Sequence, residues 1–284
     1  MTFSALVLNY IWKTQEGTRA FCGRYKKMSL KTIRQRIKRE KRIARLKYKK
    51  RLSEIKCQER VYLEEYHVKT GKPIPQNPPK RPILEEIGNA VTHGLGAVFA
   101  LVALVLMLVA SNTSEQIASA IIYSLGMLVM FTMSCLYHAL PHGRSAKRLF
   151  RRFDYSSIYI LIGATFAPIL LSYMGDGFGI VFFVIQWLVI ALGITLVGVF
   201  GPGRLRFIHI PLYLILGWSA LMLLPTMWAD VWLALLVLFG GVIYTLGIIP
   251  FAIKAKVSHF IWHIFVLLGA ITQWVGIYIY VFLK

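Results

Sequence analysis

Cysteine is scarce in this chain: its 284 residues include Cys22, Cys57 and Cys135, and no two of these form a CxxC pair. An odd and widely spaced set argues against a disulfide framework and against a cysteine-based zinc site. Acidic residues are also few, with 12 Asp and Glu against 33 Lys and Arg. The formal net charge is therefore +21, and its placement along the chain is informative.

Charge is nearly absent from the second part of the chain. Residues 83–284 hold 10 Lys and Arg against 6 Asp and Glu, whereas residues 1–82 hold 23 against 6. With 57% hydrophobic residues and a mean hydropathy of +0.60, the chain is too apolar for an ordinary soluble domain. The sequence therefore predicts a membrane protein with a basic extension.

The basic part divides into two regions. Residues 30–69 contain no Gly or Pro and are rich in Lys, Arg, Glu, Leu and Ile, which favours a helix. Residues 71–82 contain five prolines and predict an extended linker. We therefore predict a basic, helical, cytoplasmic extension (1–70), a proline-rich linker (71–82) and a membrane domain (83–284).

The extension has three possible roles. A basic segment beside a membrane attracts anionic lipid, at about 1 kcal/mol for each basic residue near the surface. Basic runs also bind nucleic acid, which we consider the weaker interpretation, and many such runs only fix the topology of the chain. Membrane lipids, with contact between the extension and anionic headgroups, are thus the expected partners.

Seven apolar runs follow the linker, each near the roughly 20 residues that cross a hydrocarbon core. They cover approximately residues 87–110, 115–138, 154–173, 178–200, 207–225, 229–251 and 258–282. Nine of the ten Lys and Arg residues beyond the linker lie in the loops after the second, fourth and sixth runs. By the positive-inside rule, these loops and the N-terminus are cytoplasmic. The prediction is an all-α, multi-pass protein of the cell (plasma) membrane with seven transmembrane helices.

Polar side chains within these runs gather at the predicted cytoplasmic ends. His259 and His263 are four residues apart on one helical face, a spacing from which one metal ion can take two nitrogen ligands. His138 closes the second run, and three imidazoles would leave the fourth position of a zinc ion open, as in catalytic sites. Ionisable groups inside spans are costly and usually functional, so we predict a metal site toward the cytoplasmic face.

Further polar residues lie at the same depth. Asp154 opens the third run and is the expected general base. Ser134 lies one helical turn from His138, where it can hydrogen-bond water or a substrate carbonyl. A supporting group that would orient the ligands comprises Glu86, Asn89 and His93. The alternative is a hydrogen-bonded network without metal.

Three other residues receive no role in this prediction. His142 and His209 lie near basic loops, so we expect both to be solvated at the membrane interface. Cys135 points away from His138 along the helix and is assigned to packing.

Six segments together resemble the hemolysin III family, within the progestin and adipoQ receptor superfamily, over about residues 83–284. The segments are EEIGNAVTHGLGA at 85–97, SCLYH at 134–138, DYSSIYILIGATFAPIL at 154–170, GW at 217–218, GGVIYTLG at 240–247 and SHFIWHIFVLLGA at 258–270. They are specific as a set. Tyr155 and Phe166 depart from bacterial relatives, which often have His and Tyr there.

The resemblance implies a seven-helix membrane protein that holds zinc. The matching positions assign the ligands to His138, His259 and His263, with Asp154 and Ser134 acting on the water at the zinc. The long basic extension and the linker are not part of the family pattern.

Three functions then compete. A zinc-dependent membrane hydrolase would cleave a lipid amide or ester, which the relatives' resemblance to alkaline ceramidases supports. A sensor or regulator of membrane lipid composition would use the same site without turnover. Pore formation, suggested by the name hemolysin, is the weakest, because spans with polar groups at only one end offer no charged conduit.

Overall fold

The computed structural model describes residues 29–70, 77–253 and 255–284, and these residues form helices and short loops without a β-strand. The chain divides into two units, residues 1–74 and residues 75–284. The boundary falls within the proline-rich segment 71–82.

The first unit contains one long helix, α1 (Leu30–Thr70). The hydroxyl of Ser29 accepts a hydrogen bond from the backbone N–H of Thr32 at 3.3 Å, which caps the start of the helix. Its 41 residues give a length of about 60 Å. Every side chain that the structure describes in α1 is exposed, and the helix holds 15 Lys and Arg against 5 Glu. It therefore presents a long basic surface.

The second unit is a bundle of helices with short connections. The helices are α2 (Ile83–Ala110), α3 (Ser114–Ala139), α4 (Ser145–Ala167), α5 (Gly177–Phe200), α6 (Arg206–Trp218), α7 (Leu224–Met227), α8 (Val231–Ala252) and α9 (Ser258–Ile277). Two of them continue into π-helical turns, α4 into Pro168–Met174 and α9 into Tyr278–Phe282. Two 3₁₀ turns flank α7, Ser219–Leu223 and Trp228–Asp230.

Six helical stretches in the described part of the chain are long and apolar enough to cross a membrane. One of them, Arg206–Ala252, covers 47 residues in which the sequence predicts two spans. There Trp218 Nε1 donates a hydrogen bond to Thr245 Oγ1 at 3.0 Å, whereas a straight helix would hold these residues about 40 Å apart. The chain therefore reverses direction between them. This reversal favours seven crossings, which stay a prediction, as does the side on which the N-terminus lies.

The outer surface of the bundle is apolar. Large side chains on it are more than half exposed, among them Val105 (60%), Leu188 (66%) and Ile215 (67%). A continuous surface of this kind marks contact with lipid, because soluble proteins rarely expose large apolar patches to water. The all-helical fold and the apolar stretches make the chain a multi-pass membrane protein.

Small residues let α4 pack closely between its neighbours. A Cβ at Gly126 of α3 would lie 2.2 Å from the Cβ of Ala164 on α4. At Gly193 of α5, a Cβ would lie 2.5 Å from the ring of Tyr159 on α4. Glycine at such crossings allows helix backbones to approach. The packing fixes α4, which carries Asp154, against α3.

Candidate metal centre

Three histidines from two helices converge at one end of the bundle. His138 lies in the last turn of α3, and His259 and His263 lie in the first two turns of α9. One ligand nitrogen from each histidine lies within 4.8 Å of the others. The helical spacing of the α9 pair brings their Nε2 atoms to 3.2 Å. This three-histidine group could hold a metal ion.

The nitrogen positions suit a tetrahedral ion. Two ligands at zinc–nitrogen distances of about 2.0–2.1 Å lie about 3.3 Å apart in a tetrahedron, close to the separation of the α9 pair. His138 Nε2 is buried and has no hydrogen-bond partner among the described residues, which leaves it available to a metal. Imidazole is a preferred ligand of zinc and of several other transition metals. The donor set therefore fits a metal of that class.

A carboxylate orients His138. Its Nδ1 donates to Glu86 Oε2 at 2.6 Å, and the amide of Asn89 lies 3.3 Å from the same nitrogen. Because a carboxylate partner requires the proton on Nδ1, Nε2 is left with its lone pair free. Two residues predicted to support the ligands thus contact His138 directly.

Lys147 completes this arrangement, and sequence reasoning missed its role. Its side chain is 1% exposed, and its ammonium donates to Glu86 Oε1 at 3.0 Å and to the Leu140 carbonyl at 2.9 Å. A lysine is rarely buried unless it is paired, and Glu86 supplies the pair. In the sequence, Lys147 is one of five basic residues of a loop, and no local feature distinguishes it from the others.

Replacing Lys147 with Met should weaken metal binding by about 10- to 100-fold, the usual effect of losing a residue that supports a ligand. Without the ammonium, the Glu86 carboxylate loses one of its two partners and holds His138 less firmly. Competition with a chelator on purified protein measures the change. The exposed Arg152→Met variant on the same helix is the control, and Lys147→Arg should retain tighter binding than Lys147→Met. Equal affinity in all variants would remove Lys147 from the centre.

Asp154 and Ser134 lie together beside the histidines. Ser134 is one turn before His138 on α3, and Asp154 lies on α4. Asp154 and Ser134 line the same cavity as the α9 histidines. A carboxylate, a hydroxyl and imidazoles therefore face one space.

His93 contacts a different partner from the other two supporting residues. Its ring centroid lies 3.8 Å from that of His263, and its ring meets the edge of Phe131 at 5.2 Å. Neither ring nitrogen has a hydrogen-bond partner in the described part of the chain. His93 therefore packs against the α9 side of the group, whereas Glu86 and Asn89 reach the α3 side.

The prediction that His209 is solvated is wrong. The residue is 0% exposed, its Nδ1 lies 2.9 Å from the Tyr159 hydroxyl, and its ring stacks on Tyr213. Tyr159 comes from α4, so the burial depends on a contact that the neighbouring loop sequence does not reveal. His142, in contrast, is exposed, and its Nε2 lies 3.0 Å from the Pro78 carbonyl oxygen.

A cavity of about 150 Å³ extends from the histidines into the bundle. Its polar near end is formed by His93, Ser134, Asp154, His259 and His263. Beyond these residues, the walls come from α4, α6, α8 and α9 and are mostly apolar. They include Leu161, Ile162, Phe166, Leu214, Val237, Ile248 and Val266. A polar head followed by an apolar channel matches the shape and chemistry of a lipid chain.

Comparison with known proteins identifies the second unit. A family model described as Haemolysin-III related matches residues 82–274. The chain belongs to the haemolysin-III related family. The resemblance drawn from the six sequence segments is thus confirmed, and the haemolysin-III related segment includes all three histidines, Asp154 and Ser134.

Curated relatives cover the same segment. The Hemolysin-3 homolog of Bacillus subtilis (strain 168) is 34% identical over 195 residues, which is 66% of this chain and 90% of that protein. Hemolysin-3 of Bacillus cereus is 30% identical over 206 residues, 70% of this chain and 93% of that protein. The Monocyte to macrophage differentiation factor of Homo sapiens is 28% identical over 205 residues, 70% of this chain and 85% of that protein.

Proposed function

We propose that this haemolysin-III related protein is a zinc protein that hydrolyses an amide or ester bond in a membrane lipid. The observation that carries the proposal is the three-histidine group beside Asp154 and Ser134, at the head of an apolar cavity inside a membrane bundle. Zinc with three protein ligands supplies a Lewis acid and lowers the pKa of water toward neutrality.

The remaining chemistry belongs to the residues of the chain. The Asp154 carboxylate accepts a proton from the attacking water and passes it to the leaving amine or alcohol as the carbonyl carbon loses that group. The Ser134 hydroxyl donates a hydrogen bond to the carbonyl oxygen, where negative charge develops. The apolar walls bind the acyl chain and keep bulk water away from the reacting carbonyl.

A second candidate is a non-catalytic sensor or regulator of membrane lipid composition. The observation that favours it is α1, a basic and exposed helix outside the segment that the family model matches. Such a helix offers a contact for anionic headgroups, through which the lipid composition of the membrane surface could act on the protein. The cavity would then bind a lipid without turnover.

Metal analysis and lipid comparison together separate these functions. Purified protein should contain about one zinc per chain, in line with one three-ligand site. Untargeted lipid profiles of cells with and without the protein should differ by a defined pair of substrate and product. Cells that express Asp154→Asn are the control and should lack this pair. Zinc with only broad changes in acyl chains would favour the regulator, and absence of both metal and lipid changes would overturn both functions.

We also propose that the metal centre faces the cytoplasm from the cell membrane. The proposal is supported by the sequence, in which nine of the ten Lys and Arg residues beyond the linker lie in the loops after the second, fourth and sixth apolar runs. His138 comes just before the first of these loops, and His259 just after the last. Reporter fusions at the exposed positions Asn112, Gly175 and Trp228 should give an external signal, and a fusion at Arg144 a cytoplasmic one. A cytoplasmic signal at Gly175 would contradict this orientation.

A further inference from the structure

Part of the cavity far from the histidines is lined by polar side chains. Thr165 of α4, Tyr244 of α8 and Gln273 of α9 line it, deep within the bundle. Gln273 is ten residues beyond His263 on α9, and Thr165 is eleven residues beyond Asp154 on α4. At 1.5 Å per residue, both lie about 15 Å along their helices from the metal centre. We call these three residues the far polar group.

Tyr244 contributes a buried hydroxyl that has no hydrogen-bond partner among the residues described. Its ring packs against Gly269, where a Cβ would lie 3.0 Å from the ring carbons. An unpaired hydroxyl at hydrocarbon depth costs free energy that a phenylalanine would avoid. Packing therefore explains the ring of Tyr244 but not its hydroxyl, for which we expect a ligand as hydrogen-bond partner.

The other two members of the far polar group present acceptors. Gln273 Nε2 donates to the Val237 carbonyl at 3.1 Å, which leaves the side-chain oxygen free to accept. Gly240 makes room for this side chain, because a Cβ there would lie 2.3 Å from Gln273 Cγ. The Thr165 hydroxyl donates to the Leu161 carbonyl at 2.8 Å, so its oxygen also accepts. The group therefore offers the Tyr244 hydroxyl as a donor and two oxygens as acceptors.

We propose that the far polar group binds a hydroxyl in the middle of a lipid acyl chain, so that the cavity selects hydroxylated chains. A hydroxyl both donates and accepts, and it matches this set of partners. With C–C bonds near 1.5 Å, an extended chain advances about 1.25 Å per carbon, so 15 Å corresponds to about 12 carbons. The inference rests on the proposed function in one respect, that the cavity holds a lipid chain whose head lies at the histidines.

Binding of matched fatty acids tests the inference without turnover. Octadecanoic acid and 12-hydroxyoctadecanoic acid are titrated into the purified full chain and into its Tyr244→Phe variant. The unmodified protein should bind the 12-hydroxy acid about 10-fold or more tightly than the plain acid, because a site built to hydrogen-bond a hydroxyl rejects the analogue without it. Tyr244→Phe should bind both acids alike. 6-Hydroxyoctadecanoic acid is the positional control and should show no gain, since its hydroxyl falls among apolar walls.

The outcomes separate this inference from the proposed function. Equal affinity for the plain and 12-hydroxy acids would show that water, and not the lipid hydroxyl, occupies the far polar group. This result would overturn the inference but not the proposal that the cavity holds a lipid chain. Failure of every acid to bind would overturn both. A preference that persists in Tyr244→Phe would also overturn the inference. Should that variant fail to fold, Thr165→Val removes an acceptor at the same place and should reduce the preference.

Discussion

Purified His138→Ala and His263→Ala variants should each lose most of their bound metal. The two residues come from different helices, α3 and α9, and each supplies one of the three nitrogens that meet at the site. A site with two remaining ligands binds zinc weakly, so the affinity should fall by more than about 100-fold, beyond the loss of a supporting residue. Elemental analysis of the purified protein gives the metal content per chain.

His209→Ala is the matched control for this experiment. It also removes a buried imidazole, but this one belongs to α6 and hydrogen-bonds Tyr159 of α4. Its metal content should stay at the level of the unmodified protein, which separates ligand loss from general loss of folding. If both ligand variants keep the metal content of the unmodified protein, the histidines form a hydrogen-bonded network without metal. The 3.2 Å contact between His259 and His263 would then be one hydrogen bond of that network.

The apolar helices could be predicted from the sequence because the length needed to cross a membrane is a local property. For residues 206–252 the sequence predicts two spans, but the connection between these fifth and sixth apolar runs is only three residues long, 226–228, so local sequence alone does not establish the reversal. Whether two such runs form one bent helix or fold back on each other depends on contacts between them. The hydrogen bond from Trp218 to Thr245 is such a contact, and it joins residues that are distant in the sequence.

The parts of the site also differ in whether they depend on local sequence or on contacts between distant residues. The α9 histidine pair is visible in the sequence because four-residue spacing places both rings on one helical face. Lys147 and His209 were misjudged because burial depends on what other helices bring to them. Glu86 of α2 pairs with Lys147, and Tyr159 of α4 covers His209. A basic or imidazole side chain near a loop therefore cannot be assigned to solvent until those partners are known.

Asp154→Asn should separate turnover from metal binding. Asparagine keeps the shape of the side chain and can still form hydrogen bonds, but it does not accept a proton from water. Turnover of the lipid identified by the cell comparison should therefore fall by about 10²- to 10⁴-fold, the usual contribution of a general base. Zinc content, measured on the same sample, should remain near that of the unmodified protein, because the three imidazoles are intact.

Asp230→Asn provides the control for this variant. Asp230 precedes α8 and binds the Tyr173 hydroxyl and the Lys284 ammonium, away from the cavity that Asp154 lines. Its replacement should leave both turnover and zinc content unchanged. If Asp154→Asn instead loses zinc as completely as His138→Ala, the carboxylate holds the metal site together. If turnover survives with zinc in place, another group takes the proton, and His93, with both ring nitrogens unpartnered among the described residues, is the next to replace.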